Sequence, residues 1–168
     1  MRQIKIVQFI PEQNDKDFQQ LLPAFLKIWN APENHKYLSF NKHAIDADTI
    51  SDWLHNHISH GISYYCAVDE DNHIVGLSII QEHPTLGLRS LGIAVRSEHK
   101  HHGIGSKLIE HLVAYITQKD FVSAEAPVFA DNVRMLRLLL KFGFIPARME
   151  HHKRYDGMDL VYMKYMHV

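Results

Sequence analysis

Between residues 62 and 118 the apolar pattern changes period once, and that change limits the fold more than any other feature of the chain. Three runs of strand character, Ile62–Val68, residues 73–81 and residues 88–95, are divided only by Asp69-Glu70-Asp71-Asn72 and by His83-Pro84-Thr85-Leu86-Gly87. Turns this short join antiparallel neighbours. Directly afterwards the spacing becomes helical, with Ile104, Leu108, Ile109, Leu112, Val113 and Ile116 on one face of a helix over residues 103–118. That apolar face has to cover the sheet.

The flanks complete the order. Ile4, Ile6, Val7, Phe9 and Ile10 predict a first strand, ended by Pro11. Phe18, Leu21, Leu22, Phe25, Leu26 and Trp29 predict a helix that Pro23 should kink or split. Residues 31–43 read as loop, and Asp48 caps a helix lined by Ile50, Trp53, Leu54 and Ile58, closed by Gly61. Residues 121–129 form a strand and residues 132–141 a short helix stopped by Gly143. Two last strands, residues 144–152 and 158–166, turn at Asp156-Gly157. The prediction is an α+β fold: a mixed, mostly antiparallel central sheet of about seven strands flanked by about four helices. Its 168 residues suit a single domain over 1–168.

Composition narrows the function. With 46% hydrophobic residues the chain can bury a core, and 18 Lys plus Arg against 19 Asp plus Glu provide no basic excess for nucleic-acid binding. The opening residues lack the apolar core of a signal peptide, and no run approaches the roughly 18 to 20 apolar residues of a membrane span. A soluble cytoplasmic protein with no nucleic acid or membrane partner is expected by elimination. Cys66, the single cysteine, sits in the apolar stretch 64–68 and reads as a buried thiol.

Chemistry concentrates in the strand-to-helix junction Val95-Arg96-Ser97-Glu98-His99-Lys100-His101-His102-Gly103-Ile104-Gly105-Ser106-Lys107. Glycines admit close backbone approach, and the free N–H groups of a helix's first turn suit a phosphate, with Lys100 and Lys107 adding charge. Gly-x-x-x-x-Gly-Lys-Ser/Thr is absent, and Leu108 stands where a dinucleotide fingerprint needs its third glycine.

The junction, the antiparallel meander before it, and Asn132, Met135, Leu136, Leu138, Lys141, Gly143 and Phe144 after it together resemble the GNAT superfamily of N-acetyltransferases. That family's acetyl-CoA loop reads Arg/Gln-x-x-Gly-x-Gly/Ala, which 100–105 matches with Lys100 in the first place. The resemblance implies acetyl-CoA as co-substrate, its pantetheine arm between splayed fourth and fifth strands on the backbone of Ile93 and Val95. It implies a pyrophosphate on the amides of His101, His102, Gly103, Ile104, Gly105 and Ser106, with Asn132 facing the cofactor as well as capping its helix.

The reaction implied is direct attack of a neutral primary amine on the thioester through a tetrahedral intermediate. Leu139 occupies the place of the tyrosine acid that many members carry, and Arg89 that of an early glutamate base. Glu125 is the first substitute as base, followed by Glu82 and His83 at the end of the third strand, with Tyr155 or Tyr162 as acid. These departures also permit a non-catalytic acyl-CoA-binding or sensing module.

Fourteen histidines invite a metal reading, but His55, His57 and His60 lack ligand spacing with a third partner, and His99, His101 and His102 suit an anion better. No metal is expected. The acceptor stays open between a small-molecule amine and a protein or peptide amine. Trp29, Tyr37 and Phe40 either line an apolar pocket or pack on the sheet, and Glu33, Asp46, Asp48 and Asp52 either attract a cationic amine or face water. A homodimer is common among similar proteins.

Overall fold

The protein is seen here as a computed structural model, which describes residues 3–12, 14–85 and 87–167. Leu86, in the expected turn 83–87, and the side chain of Ile58 lie outside the described residues. The elements are β1 (Lys5–Phe9), α1 (Asp15–Trp29), α2 (Pro32–Leu38), α3 (Ala47–Asn56), β2 (Ile62–Val68), β3 (Ile74–His83), β4 (Gly87–Val95), α4 (Ile104–Gln118), β5 (Ser123–Phe129), α5 (Val133–Lys141), β6 (Ile145–Glu150) and β7 (Leu160–Met166). The strands form one seven-stranded sheet in the order β1-β2-β3-β4-β5-β7-β6, antiparallel except where β4 meets β5. The expected α+β architecture is present.

Five helices replace the expected four. The additional one, α2, falls in the stretch read as loop, because a seven-residue helix is too short to show an apolar stripe. Pro32 opens it, and Asn34 ties it down by donating to the carbonyls of Ile28 and Val95 at 2.8 and 3.0 Å. Pro23 does not split α1. Pro23 and Gln19 are both on the exposed side, where water can take the freed carbonyl, while Leu21, Phe25, Ile28 and Trp29 stay packed. Asp46, not Asp48, caps α3, its Oδ1 accepting from the Thr49 amide at 2.7 Å, and α3 ends at Asn56, before Gly61.

Each face of the sheet carries its own core. On the front, α1 and α3 bury Phe25, Ile28, Ile50 and Leu54 against Tyr64, Cys66, Leu77 and Ile79. Burial pushes the Cys66 thiol up, which suits its reading as an inert core residue. On the back, α4 and α5 bury Ile109, Leu112, Ile116 and Leu139 against Leu88, Ala124, Ala126, Val128 and Met163. No helix of the described residues is long and apolar enough to cross a membrane.

The relationship that makes a site lies between β4 and β5. They pair only at Leu88 with Ala124 and Arg89 with Glu125, and beyond those residues the strands part. Near the parting, β4 also carries a bulge: Ile79 pairs Gly92 and Ile80 pairs Ser90, leaving Leu91 as the extra residue.

Candidate active site

A cleft of about 1110 Å³ opens along the free edge of β4, between the start of α4, α5 and α2. The Arg96 amide donates to Val75, so by antiparallel alternation the N–H and C=O groups of Ile93 and Val95 point away from β3, toward the cleft. The Val95 carbonyl already accepts from Asn34, whereas no such side-chain contact is made to Ile93 among the described residues.

At the cleft's outer end Gly103 caps α4 with φ +79 and no side-chain cap, so the first-turn amides lack the partner that a capping side chain would supply. A Cβ built on Gly103 meets nothing within 4 Å, and one on Gly105 meets only Leu138 Cδ2 at 3.6 Å. The glycines thus leave open space where the amides point. Lys100, His101, Ile104, Ser106 and Asn132 also line this cleft, as expected from the sequence, but His102 is exposed and outside the lining. Asn132 fills both of its expected positions: its Oδ1 accepts from the Met135 amide at 3.2 Å, capping α5, while the residue faces the cleft.

Sequence reasoning assigned charge in the cleft to only one of its four Lys or Arg side chains, Lys100. Arg134, Arg137 and Lys141 project from α5 toward the cleft that Lys100 enters from the other side. Their spacing of three or four residues was the available signal. Burial lowers the Lys100 pKa, Glu33 at 3.8 Å opposes that shift, and Arg134 reinforces it. The Ser97 hydroxyl, followed by the backbone of Glu33 itself, holds the Glu33 carboxyl below its ordinary value. The fit to a polyanion is therefore chemical as well as steric: bare amides, room and four Lys or Arg side chains.

The cleft continues through the parted strands into a void of about 60 Å³ lined by Ser90, Leu91, Gly92, Ile93, Ala126, Pro127 and Leu139, with Tyr37, Phe40 and Phe129 at its front. Tyr37 and Phe40 line it, while Trp29 packs on the sheet, its ring so close to Gly92 that a Cβ there would sit 2.8 Å from Trp29 Cη2. Leu139 is 1% exposed and belongs to the back core, so no proton donor enters from that position.

Glu125 lies at the closed end of the parting. Its neighbours Ala124 and Ala126 are in the back core, so alternation turns Glu125 to the front, where its Oε2 meets Arg89 at 3.4 Å and Arg148 at 3.5 Å. Glu82 is not brought to it: its carboxylate accepts from the Tyr115 hydroxyl on the α4 side of the sheet. His83 ends β3 and lies outside both lined spaces, bonded to Thr85. Tyr155 is 53% exposed in the β6–β7 turn, its amide donating to the Phe40 carbonyl, and the Tyr162 ring lies under the Arg148 guanidinium at 3.3 Å.

A second feature the sequence did not signal is Arg154, 3% exposed, which pairs with both oxygens of Asp131 and of Asp156 and donates to the Lys36 carbonyl at 3.0 Å. It ties the β6–β7 turn to α2 and to the residue before Asn132. Glu33, Asp46, Asp48 and Asp52 form no common patch: Glu33 joins the cofactor-side cleft and Asp46 caps α3. Among the described residues, metal-ligating groups gather only at Asp69, Asp71 and His73, in the β2–β3 turn, where Asp69 accepts from the Asp71 and His73 amides.

Solved structures share this architecture. An N-acetyltransferase from Staphylococcus aureus superposes with a TM-score of 0.78 at 17% identity, over 99% of this chain and 98% of that one. A ribosomal-protein-alanine N-acetyltransferase from Brucella melitensis gives 0.77 at 21%, over 98% and 99%. The yncA protein of Salmonella typhimurium, solved with its cofactor acetyl-CoA, gives 0.75 at 17%, over 99% and 94%. No curated protein matches the chain by sequence. The model of the acetyltransferase (GNAT) family matches residues 19–144, three quarters of the chain, from within α1 to just past α5, and the chain belongs to that family.

Proposed function

We propose that this acyltransferase moves the acetyl group of acetyl-CoA to a primary amine by direct attack within a ternary complex. The carrying observation is the continuous path from the bare first-turn amides of α4, through a cleft ringed by Lys100, Arg134, Arg137 and Lys141, to the parted strands β4 and β5. In this reading Gly103, Ile104, Gly105 and Ser106 hold the pyrophosphate, the four cations hold further phosphate charge, and Ile93 offers its backbone to the pantetheine arm.

The thioester would then end beside Ser90, Leu91 and Ala126, with the acceptor arriving from the front, past Glu125. A lysine-like amine has an unperturbed pKa of about 10.4 and must lose a proton before attack. In this reading Glu125, which flanks the void without lining it, orients that amine or accepts its proton, directly or through water. With Leu139 in the back wall, an acid for the departing thiolate would come from the front, where Tyr37 and Tyr155 lie.

Leu139 is also the observation in favour of the alternative, a non-catalytic acyl-CoA-binding module. Calorimetric titration with acetyl-CoA, followed by thiol release against amino acids, polyamines, aminoglycosides and peptides, separates the two. Saturable binding with release for one amine class supports transfer. Binding without release favours the module, and absence of binding overturns the cleft assignment.

A further inference from the structure

The front of the sheet past the parting is strongly charged. Helices α1 and α2 pack toward β1, β3 and β4. On the same face of β5, β7 and β6 the charged side chains are Glu125, Lys164, Arg148 and Glu150, beside Pro127, Tyr162 and the exposed Ile145, with Arg89 joining them from β4. The strand register lays them in a row: Arg89 beside Glu125, Glu125 opposite Lys164, and Arg148 opposite Tyr162, one step along from Lys164.

Cations outnumber carboxylates in this row, Arg89, Arg148, Lys164 and Lys153 against Glu125 and Glu150. Glu150 is engaged by Lys153 at 2.7 Å and by Arg148 at 2.8 Å. That leaves Glu125 between two guanidiniums that reach the same Oε2 at 3.4 and 3.5 Å, longer than the usual ~2.7–2.9 Å of a charge-assisted bond. Lys164 makes no ion pair among the described residues. Arg89 and Arg148 are 38% and 44% exposed, so both present donors to solvent, and stacking on Tyr162 fixes the plane of Arg148.

We infer that the acceptor is a small amine that also bears a carboxylate, an amino-acid-like zwitterion, with the carboxylate on Arg89, Arg148 and Lys164 and the amine on Glu125. This rests on the acetyl-transfer reading above. A cation–anion–cation row complements a zwitterion: Arg89 gains the second carboxylate that Glu125 alone does not supply, Lys164 gains its first, and Glu125 faces the ammonium next to the parted strands. A polyamine or an aminoglycoside would bring like charge to the arginines. A peptide N-terminus would bring an amide where they need an anion.

The test is acetyl-CoA-dependent thiol release by the full chain with the standard amino acids, their C-terminal amides, the matching alkylamines, spermidine and short peptides. At least one amino acid is expected to exceed its own amide in kcat/KM by about tenfold to a hundredfold, the usual effect of losing a charge-assisted bond. Arg148→Gln and Arg89→Gln should raise KM for that amino acid by a similar factor. Both variants should lower kcat/KM for that amino acid several-fold more than for its amide, while acetyl-CoA affinity stays within about twofold of the parent's and thermal melting confirms the fold. Amides, peptides or spermidine used as well as the amino acids would overturn the inference. So would equal losses on acid and amide in the variants, or acetyl-CoA bound with no acceptor used. Failure to bind acetyl-CoA would instead overturn the underlying reading.

Discussion

Arg89 and Glu125 are the last pair joining β4 to β5, and their side chains meet at 3.4 Å on the front of the sheet, where the two strands begin to part. The backbone relationship opens the cofactor path, and the side-chain relationship sets a carboxylate at its closed end. One register therefore connects the proposed cofactor path to the proposed acceptor side.

Glu125→Gln keeps the size of the side chain and removes its charge. Turnover should fall at least tenfold, because glutamine cannot take a proton, while calorimetry should find acetyl-CoA affinity unchanged. Normal turnover would remove Glu125 from the reaction.

Gly103→Val acts at the other end. The φ of +79 costs a β-branched residue about 1–2 kcal/mol, and the new side chain would stand in the open space before the α4 amides. CoA affinity should drop by an order of magnitude or more, beyond what a modest fall in melting temperature explains. Affinity equal to the parent's would place the pyrophosphate elsewhere.

Lys100 supplies a pH signature. Burial lowers its pKa, Glu33 partly restores it, and Arg134 lowers it further. A bound phosphate favours the charged form and raises that pKa, so CoA affinity should be full below the free protein's Lys100 pKa and decline as pH rises through it. The decline should begin below the ordinary lysine value of about 10.4. Lys100→Met should weaken binding and abolish this alkaline limb. An identical limb in the variant would assign it to another group.

Arg154 should matter for stability in acid. It holds the Asp156 carboxyl down at about 2 and lowers that of Asp131, against an ordinary value of about 3.9. Depressed carboxyls contribute stability that is present above their unfolded pKa and lost as pH falls through the folded one, here from about pH 4 toward 2. Arg154→Met should cost about 3 kcal/mol at pH 7, the low end for a buried pair because both carboxylates keep water contact, and should reduce the loss between pH 5 and pH 3. Urea unfolding at those pH values checks both, and an unchanged acid slope would exclude the clamp as its source.

The sequence by itself determined the layers and the open, glycine-marked start of α4. The change from period-two runs to the stripe Ile104 to Ile116 is local information, because burying a face of one element needs only that element's spacing. Gly103, Gly105 and Asn132 were legible for the same reason: a helix start with room before it, and a cap, are properties of a few consecutive residues. Tertiary structure alone decided what meets what. From the sequence Glu125 ranks first as base and Glu82 next, and only sheet pairing separates them fully, turning Glu82 toward Tyr115 on the back and Glu125 toward Arg89 on the front. The Arg89, Arg148 and Lys164 row, the α5 cations across from Lys100, and the Arg154 clamp each join residues from separate elements. Such contacts depend on β5 lying parallel to β4 and on β7 lying between β5 and β6, pairings that no short window of sequence specifies.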